Sequence, residues 1–158
     1  MTFDSDLLRR AMRAWTTGVA IIMASHADKT YGMTINSFTS LSIDPPLVSV
    51  ALQNSTRMYD LVTKSRAFGV TILSADQQGL AEDFAGRKHG EERMTGIETQ
   101  TFVTGAPVLF GGLASLDCRV IHTHAAGPNT VFIAEVAETR VQSTEPPLVY
   151  HNREYHHL

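Results

Sequence analysis

A single cysteine, Cys118, in 158 residues removes any intrachain disulfide framework and fits a reducing compartment, with the cytoplasm as the default. Basic charge is not in surplus either: 13 Lys and Arg stand against 16 Asp and Glu, a formal net charge of -3. Without a basic excess there is nothing to neutralise a run of phosphates, which argues against nucleic acid as a partner. No apolar run approaches the ~20 residues that span a bilayer, so no membrane segment is expected. The opening Met1-Thr2-Phe3-Asp4-Ser5-Asp6 is acidic and lacks a basic region followed by an apolar one, so it is not read as a signal peptide. Both common phosphate-cradling loops, G-x-G-x-x-G after a strand and G-x-x-x-x-G-K-[ST], are missing. A nucleotide, if bound, is held some other way.

What is present fits one domain, 1–158, a length that can bury a real core. Leu8, Ala11, Met12 and Trp15 fall on one helical stripe, with Asp4 or Ser5 available as cap and an end near Gly18. Val19 to Ser25 and Thr30 to Ile43 read as two extended segments around a turn at His26-Ala27-Asp28-Lys29. Asp44-Pro45-Pro46 stops the second, since neither proline can donate to a ladder, and Leu47 to Leu52 reads as a buried strand. Thr56 to Ser65 is a short helix with Met58, Leu61 and Val62 on one face; Ala67 to Leu73 is a strand. Ser74-Ala75-Asp76-Gln77 has the form of a capping box for a helix through Leu80 and Phe84 to Gly86. Arg87 to Phe110 has no sustained period and reads as an excursion outside the core. From Gly112 to His124 the alternation is strict, with Ala114, Leu116, Cys118, Val120, His122 and His124 on one face. Thr130 to Val141 is its hairpin mate, and Leu148 to Tyr150 a last strand. Strands joined by hairpins with short helices between them predict a mainly β, antiparallel closed sheet.

Two segments attract chemistry. Gly32 to Ser42 packs five hydroxyls and one amide into eleven residues without alternating. Its polar groups could meet a flat heteroaromatic ligand, or the segment could be an exposed edge strand rich in Thr and Ser. Gln53-Asn54-Ser55-Thr56-Arg57 joins a strand to a helix start, where free N–H groups, hydroxyls and an arginine can cradle a phosphate. Equally, Ser55 or Thr56 could simply cap the helix. His122 and His124 lack an evident third ligand, so no metal is expected. His151, His156 and His157 read as solvent-exposed or frayed, and Cys118 as a packed thiol.

Taken in order, these segments resemble the flavin reductase-like family along nearly the whole chain. The resemblance rests on Arg9-Arg10-Ala11-Met12 through Thr17-Gly18-Val19, Gly32-Met33-Thr34, Ser37-Phe38-Thr39-Ser40 and Asp44-Pro45-Pro46-Leu47-Val48. It continues in Phe68-Gly69-Val70, Leu73-Ser74-Ala75-Asp76-Gln77-Gln78, Leu80-Ala81 with Phe84, Pro107-Val108-Leu109 and Cys118-Arg119-Val120. It ends with Phe132-Ile133, Glu135-Val136 and Pro147-Leu148-Val149-Tyr150-His151. The resemblance implies an antiparallel split β-barrel with short flanking helices, the FMN-binding split barrel, working as a homodimer. It implies an NAD(P)H-dependent reductase of FMN or FAD, with NADH or NADPH as hydride donor, supplying reduced flavin to a partner monooxygenase.

By the same resemblance, Thr34, Ile35, Asn36 and Ser37 lie along the isoalloxazine and Ala51, Leu52 and Gln53 flank it. Ser55, Thr56 and Arg57 meet the ribityl phosphate, while Phe84 and the Arg87-Lys88 pair close over the tail. No protein group acts as a general base, because the hydride passes between cofactors. One motif departs: many relatives carry Gly-Asp-His in the hairpin before Phe132-Ile133, where the histidine contacts the nicotinamide dinucleotide, whereas this chain has Gly127-Pro128-Asn129. Asn129 can still hydrogen-bond, and His122 and His124 could substitute from the same hairpin. Two alternatives stay open on this departure: a non-catalytic FMN carrier, and another FMN-dependent oxidoreductase of the same fold.

Overall fold

The computed structural model describes residues 3–158; Met1 and Thr2, which begin the acidic opening, lie outside the described residues. Helix α1 (Ser5–Arg13) is capped by Asp4, whose carboxylate accepts from the N–H groups of Asp6 at 2.9 Å and Leu7 at 3.3 Å. It ends earlier than the expected Gly18, and none of its residues is buried. The short β1 (Thr17–Gly18) follows, then the hairpin β2 (Ala20–His26) and β3 (Lys29–Ile35).

The polar segment read as one strand to Ile43 is in fact broken at Asn36, Ser37 and Phe38, and Thr39–Ser42 forms a separate strand β4. Strand β5 (Leu47–Gln53) is not buried throughout: Val48, Val50 and Leu52 face the core while Ala51 and Gln53 are exposed. Helix α2 (Arg57–Ser65) takes Thr56 as its cap, and Met58, Leu61 and Val62 are its buried face, as the spacing predicts. Strand β6 (Ala67–Ile72) and the Ser74 capping box are also where the pattern puts them. The helix beyond the box is broken up: a 3-10 turn at Ala75–Gln77, α3 (Gln78–Glu82), then a wide turn at Asp83–Arg87 ending at Gly86 with φ 127°.

The excursion after Arg87 is not all outside the core. It carries a 3-10 turn (Gly90–Met94), β7 (Thr99–Thr101) and β8 (Pro107–Leu109), and β8 is fully buried. The long hairpin β9 (Ala114–Ala126) and β10 (Asn129–Val141) contains two register shifts. One leaves Ile121 unpaired between Val120 and His122, a bulge that turns His122 and His124 to the opposite face from Val120 and breaks the expected alternation. At its other end Ser115 and Asp117 are buried alongside Cys118, because β9 there is covered on both faces. The C-terminus is not frayed: β11 (Leu148–His151) and β12 (Glu154–His157) form a hairpin that also pairs with β1.

Strand order in the large antiparallel sheet is β3-β2-β6-β9-β10-β5-β4. Its two end strands are consecutive in sequence and are linked by only Asn36, Ser37 and Phe38. Such a link spans about 14 Å, whereas six strand spacings laid flat would separate the ends by about 29 Å. The sheet therefore curls until its ends approach, wrapping a core that includes Phe68, Phe132, Val50 and Met58. A second cluster around Phe84, Ile21, Met23 and Leu148 lies on its other side.

Candidate functional site

The polar segment sits at the short link between the sheet's two end strands. Three clefts open there, of about 340, 560 and 180 Å³, and Asn36 lines all three. Ile35 borders two of them, Thr34 the smallest and Ser37 the largest. The side chains differ in what they have free. Thr34 donates its hydroxyl to the Ala81 carbonyl at 2.7 Å, anchoring β3 to α3. Ser37 donates to the Ala51 carbonyl at 3.0 Å and accepts the Ala51 N–H at 3.3 Å. Both hydroxyls are thus spent on the frame. The Asn36 amide has no hydrogen bond among the described residues and faces the clefts. Thr17, which lines the two larger clefts, carries a buried hydroxyl without any partner among the described residues.

Register places the rest. Ala51 pairs with Val131, which pairs with His124, and Gln53 pairs with Asn129. Paired residues in adjacent strands share a face, so Ala51, Gln53, Asn129 and His124 look outward together, with His124 about 10 Å from Ala51 at two strand spacings. His122 sits one pair further along, beside Ile133 and Ser49. The hairpin tip is tied to the β5–α2 connection by the Asn54 N–H on the Pro128 carbonyl at 2.9 Å and the Thr130 hydroxyl on the Asn54 amide oxygen at 2.8 Å.

Ser55, Thr56 and Arg57 lie at the start of α2. The Thr56 hydroxyl is engaged, donating to the Gln53 carbonyl at 2.7 Å and accepting from the Tyr59 N–H at 3.2 Å. That leaves the first-turn N–H groups and the Arg57 guanidinium, which makes no ion pair among the described residues and lies 5.1 Å from the centre of the Tyr31 ring. Arg93, which composition and spacing gave no reason to single out, is 6 % exposed and reaches the same tyrosine, donating to its hydroxyl at 2.5 Å and to the Gly32 carbonyl at 3.2 Å. It covers the free edge of β3.

Three expected residues are placed otherwise. Leu52 points into the core at 1 % exposure, so only its backbone borders the outward face. Phe84 is fully buried and fills the space that a side chain at Gly32 would need; a Cβ there would lie 2.3 Å from its ring. Its ring is packed against β3 and lines none of the three clefts. Arg87 is held by Glu82 and Asp83 at 2.5 Å each and by the Gly79 carbonyl at 3.0 Å, with Lys88 also on Asp83 at 3.0 Å. The Lys88 and Arg87 contacts outweigh burial and hold the Asp83 carboxyl below its ordinary range. Both cations thus already have carboxylate partners.

Two residues missed by the sequence reading, Trp15 and Tyr150, come from the two ends of the chain. Trp15, Tyr150 and Tyr155 all line the clefts, Tyr150 and Tyr155 with ring centres 5.4 Å apart. Burial, with the neighbouring Tyr150 and Glu82 adding to it, pushes the Tyr155 hydroxyl's pKa up, so it stays a neutral donor. The final hairpin that delivers them has only the weak signal of Asn152-Arg153, whose positive φ values of 49° and 66° make a two-residue turn.

The flavin reductase like domain family matches residues 12–158. An NADH-dependent flavin reductase of Pseudomonas fluorescens, StyB, is 35% identical over 156 residues, 97% of this chain and 89% of its own. The reductase component of an FADH(2)-dependent resorcinol hydroxylase from a Rhizobium species is 34% identical over 93% of this chain and 83% of its own. Among solved structures, the Streptomyces globisporus NADH:FAD oxidoreductase SgcE6 in complex with NAD and FAD fragments superposes with a TM-score of 0.88 at 28% identity, covering 97% of this chain and 92% of that one. The chain belongs to the flavin reductase-like family.

Proposed function

We propose that this chain is an NADH-dependent reductase of FMN or FAD that hands its reduced flavin to a partner monooxygenase. The observation that carries the reading is the uncommitted amide of Asn36 facing the clefts, with an unpaired guanidinium on Arg57 at the start of α2, within a family of flavin reductases. A flavin has what these groups lack: ring carbonyls and nitrogens for the amide, and a phosphate dianion for the arginine.

When bound, the flavin and the nicotinamide supply the chemistry, a hydride passing from nicotinamide C4 to flavin N5. The chain's part is placement. Asn36 hydrogen-bonds the polar edge of the ring, with the backbone of Thr34, Ile35 and Ser37 beside it. Ala51 and Gln53 flank the ring by side chain, Leu52 by backbone alone. Ser55, Thr56 and Arg57 hold the ribityl phosphate, through the α2 N–H groups and the free guanidinium. Asn129 lies next to Gln53 and, with His124 and His122 along the same face, is the hairpin's contribution to the nicotinamide.

The curled sheet, with the link between its end strands held to β5 by Ser37, is read as the split barrel of one domain, 1–158. The exposed Leu7 and Leu8 of α1, which line none of the three clefts, are read as the seat of a second copy, since a nine-residue helix with no buried residue has little to hold it in water. Among the described residues no helix is long and apolar enough to cross a membrane, and the working location is taken to be the cytoplasm.

The reading is tested without oxygen. Protein with one equivalent of FMN should lose the visible absorbance of oxidised flavin on addition of NADH, far faster than the mixture without protein. Flavin that binds yet stays oxidised would make the chain a carrier.

A further inference from the structure

A group of cations shares a cleft with Asn36, and Arg57 is not among them. The largest cleft, about 560 Å³, is lined by Arg9, Arg13, Arg153, Trp15, Thr17 and Asn36 among others, with no carboxylate in its wall. The arginines come from opposite ends of the chain. Arg13 ends α1, and its carbonyl accepts the Asn152 N–H at 3.0 Å, so the β11–β12 turn is fixed against the helix end and carries Arg153 alongside. Arg9 pairs with Asp6 at 2.5 Å, but neither Arg13 nor Arg153 forms an ion pair among the described residues. Like charges drawn together without a counter-charge make a positive wall. The orphaned Thr17 hydroxyl is buried in the same cleft, a donor left without an acceptor. An anion with acceptor oxygens answers both, and the exposed Trp15 ring at the rim adds a face for a base.

The flavin phosphate is not the natural occupant. Its proposed cradle is at α2, and no residue from 53 to 57 lines this cleft. A second anionic molecule answers it, and the hairpin tip at Pro128 and Asn129 offers such a molecule no charge. We infer that the Arg13–Arg153 cleft takes the diphosphate of the reduced nicotinamide dinucleotide, with Thr17 donating to it and Trp15 beside the adenosine. The inference rests on the reductase reading: flavin phosphate at α2, donor diphosphate at the end of α1, the reacting rings meeting over Asn36.

Trp15 is the only tryptophan in the chain, so its fluorescence reports on this cleft directly. Flavin-free protein titrated with ADP-ribose should show a saturable change in that fluorescence. Arg153→Gln and Arg13→Gln should each raise the dissociation constant about tenfold, the loss of one charge-assisted contact, with Arg153→Lys recovering part of it. Neither should alter FMN binding, and adenosine, which lacks the diphosphate, should bind poorly to every form. ADP-ribose affinity unchanged in both glutamine variants would overturn the proposal. So would Arg153→Gln weakening FAD but not FMN while leaving ADP-ribose unaffected, since the cleft would then hold the flavin's own diphosphate. The titration involves no turnover, so failure of the reductase reading, seen as no flavin reduction by NADH in the unaltered protein, remains distinguishable.

Discussion

Ser37 and Ala51 fasten the link between the sheet's two end strands to β5: one hydroxyl both donates to the Ala51 carbonyl at 3.0 Å and accepts its N–H at 3.3 Å. Ser37 belongs to the link from β3 to β4, and Ala51 to the outward face of β5. Ser37→Ala should cost about 1–2 kcal/mol of stability, from two modest hydrogen bonds, and should also weaken FMN binding because Asn36 loses its fixed position. Thermal unfolding and fluorescence titration check the two effects. Full FMN affinity in a destabilised variant would separate the fastening from the site.

Arg57→Ala should weaken FMN by about 1–3 kcal/mol through loss of a charge-assisted contact. Riboflavin, which has no phosphate, should bind the variant as it binds the parent. Equal losses for both flavins would remove Arg57 from the phosphate and leave it a partner of Tyr31 alone.

Asn129→His restores at the hairpin tip the residue type that many relatives use there. It should lower the KM for NADH with FMN affinity unchanged, because Asn129 is placed beside Gln53 on the outward face. An unaltered KM would mean that the tip lies away from the donor.

Gly32 exists for Phe84. A Cβ at residue 32 would sit 2.3 Å from the ring, within a packed cluster, so Gly32→Ala should destabilise by about 1–3 kcal/mol. Differential scanning calorimetry measures it, and a melting point within a degree of the parent's would show that Phe84 can yield.

Asp83 gives a pH dependence whose sign is fixed. Its folded-state carboxyl titrates below the ordinary 3.8, chiefly through its hydrogen bond with Lys88 and then through Arg87, against a burial effect that raises it. The stabilisation is complete above the unfolded value and disappears as the pH falls through the folded one. Melting temperature should drop more steeply below pH ~4 in the parent than in Asp83→Asn. Parallel curves would contradict the assignment.

Much of this was legible in the sequence where one periodicity dominates. The faces of α2 and the Ser74 capping box follow from spacing, and the buried Cys118, whose thiol burial and the neighbouring Asp117 push up to about 12, follows from its apolar alternation. What spacing could not carry was the bulge at Ile121, because one unpaired residue reverses every face beyond it, and the break at Asn36, because a polar run has no period with which to show a corner. Resemblance directed attention to Phe84 and Arg87 as tail-binding residues. Only the packing against Gly32 and the carboxylates of Glu82 and Asp83 show that both side chains are already committed. The Arg13–Arg153 wall was invisible for a simpler reason: its halves are 140 positions apart and are brought together by the pairing of β1 with β11 and the backbone hydrogen bond from Asn152 to Arg13.

The most direct test of the reductase reading is NADH consumption in air with purified protein and a catalytic amount of FMN or FAD. The account predicts oxidation that depends on added flavin, exceeds the protein-free rate by orders of magnitude and falls when Arg57 is replaced by Ala at limiting FMN. Consumption no faster than the protein-free control, in a preparation that binds FMN, would contradict it.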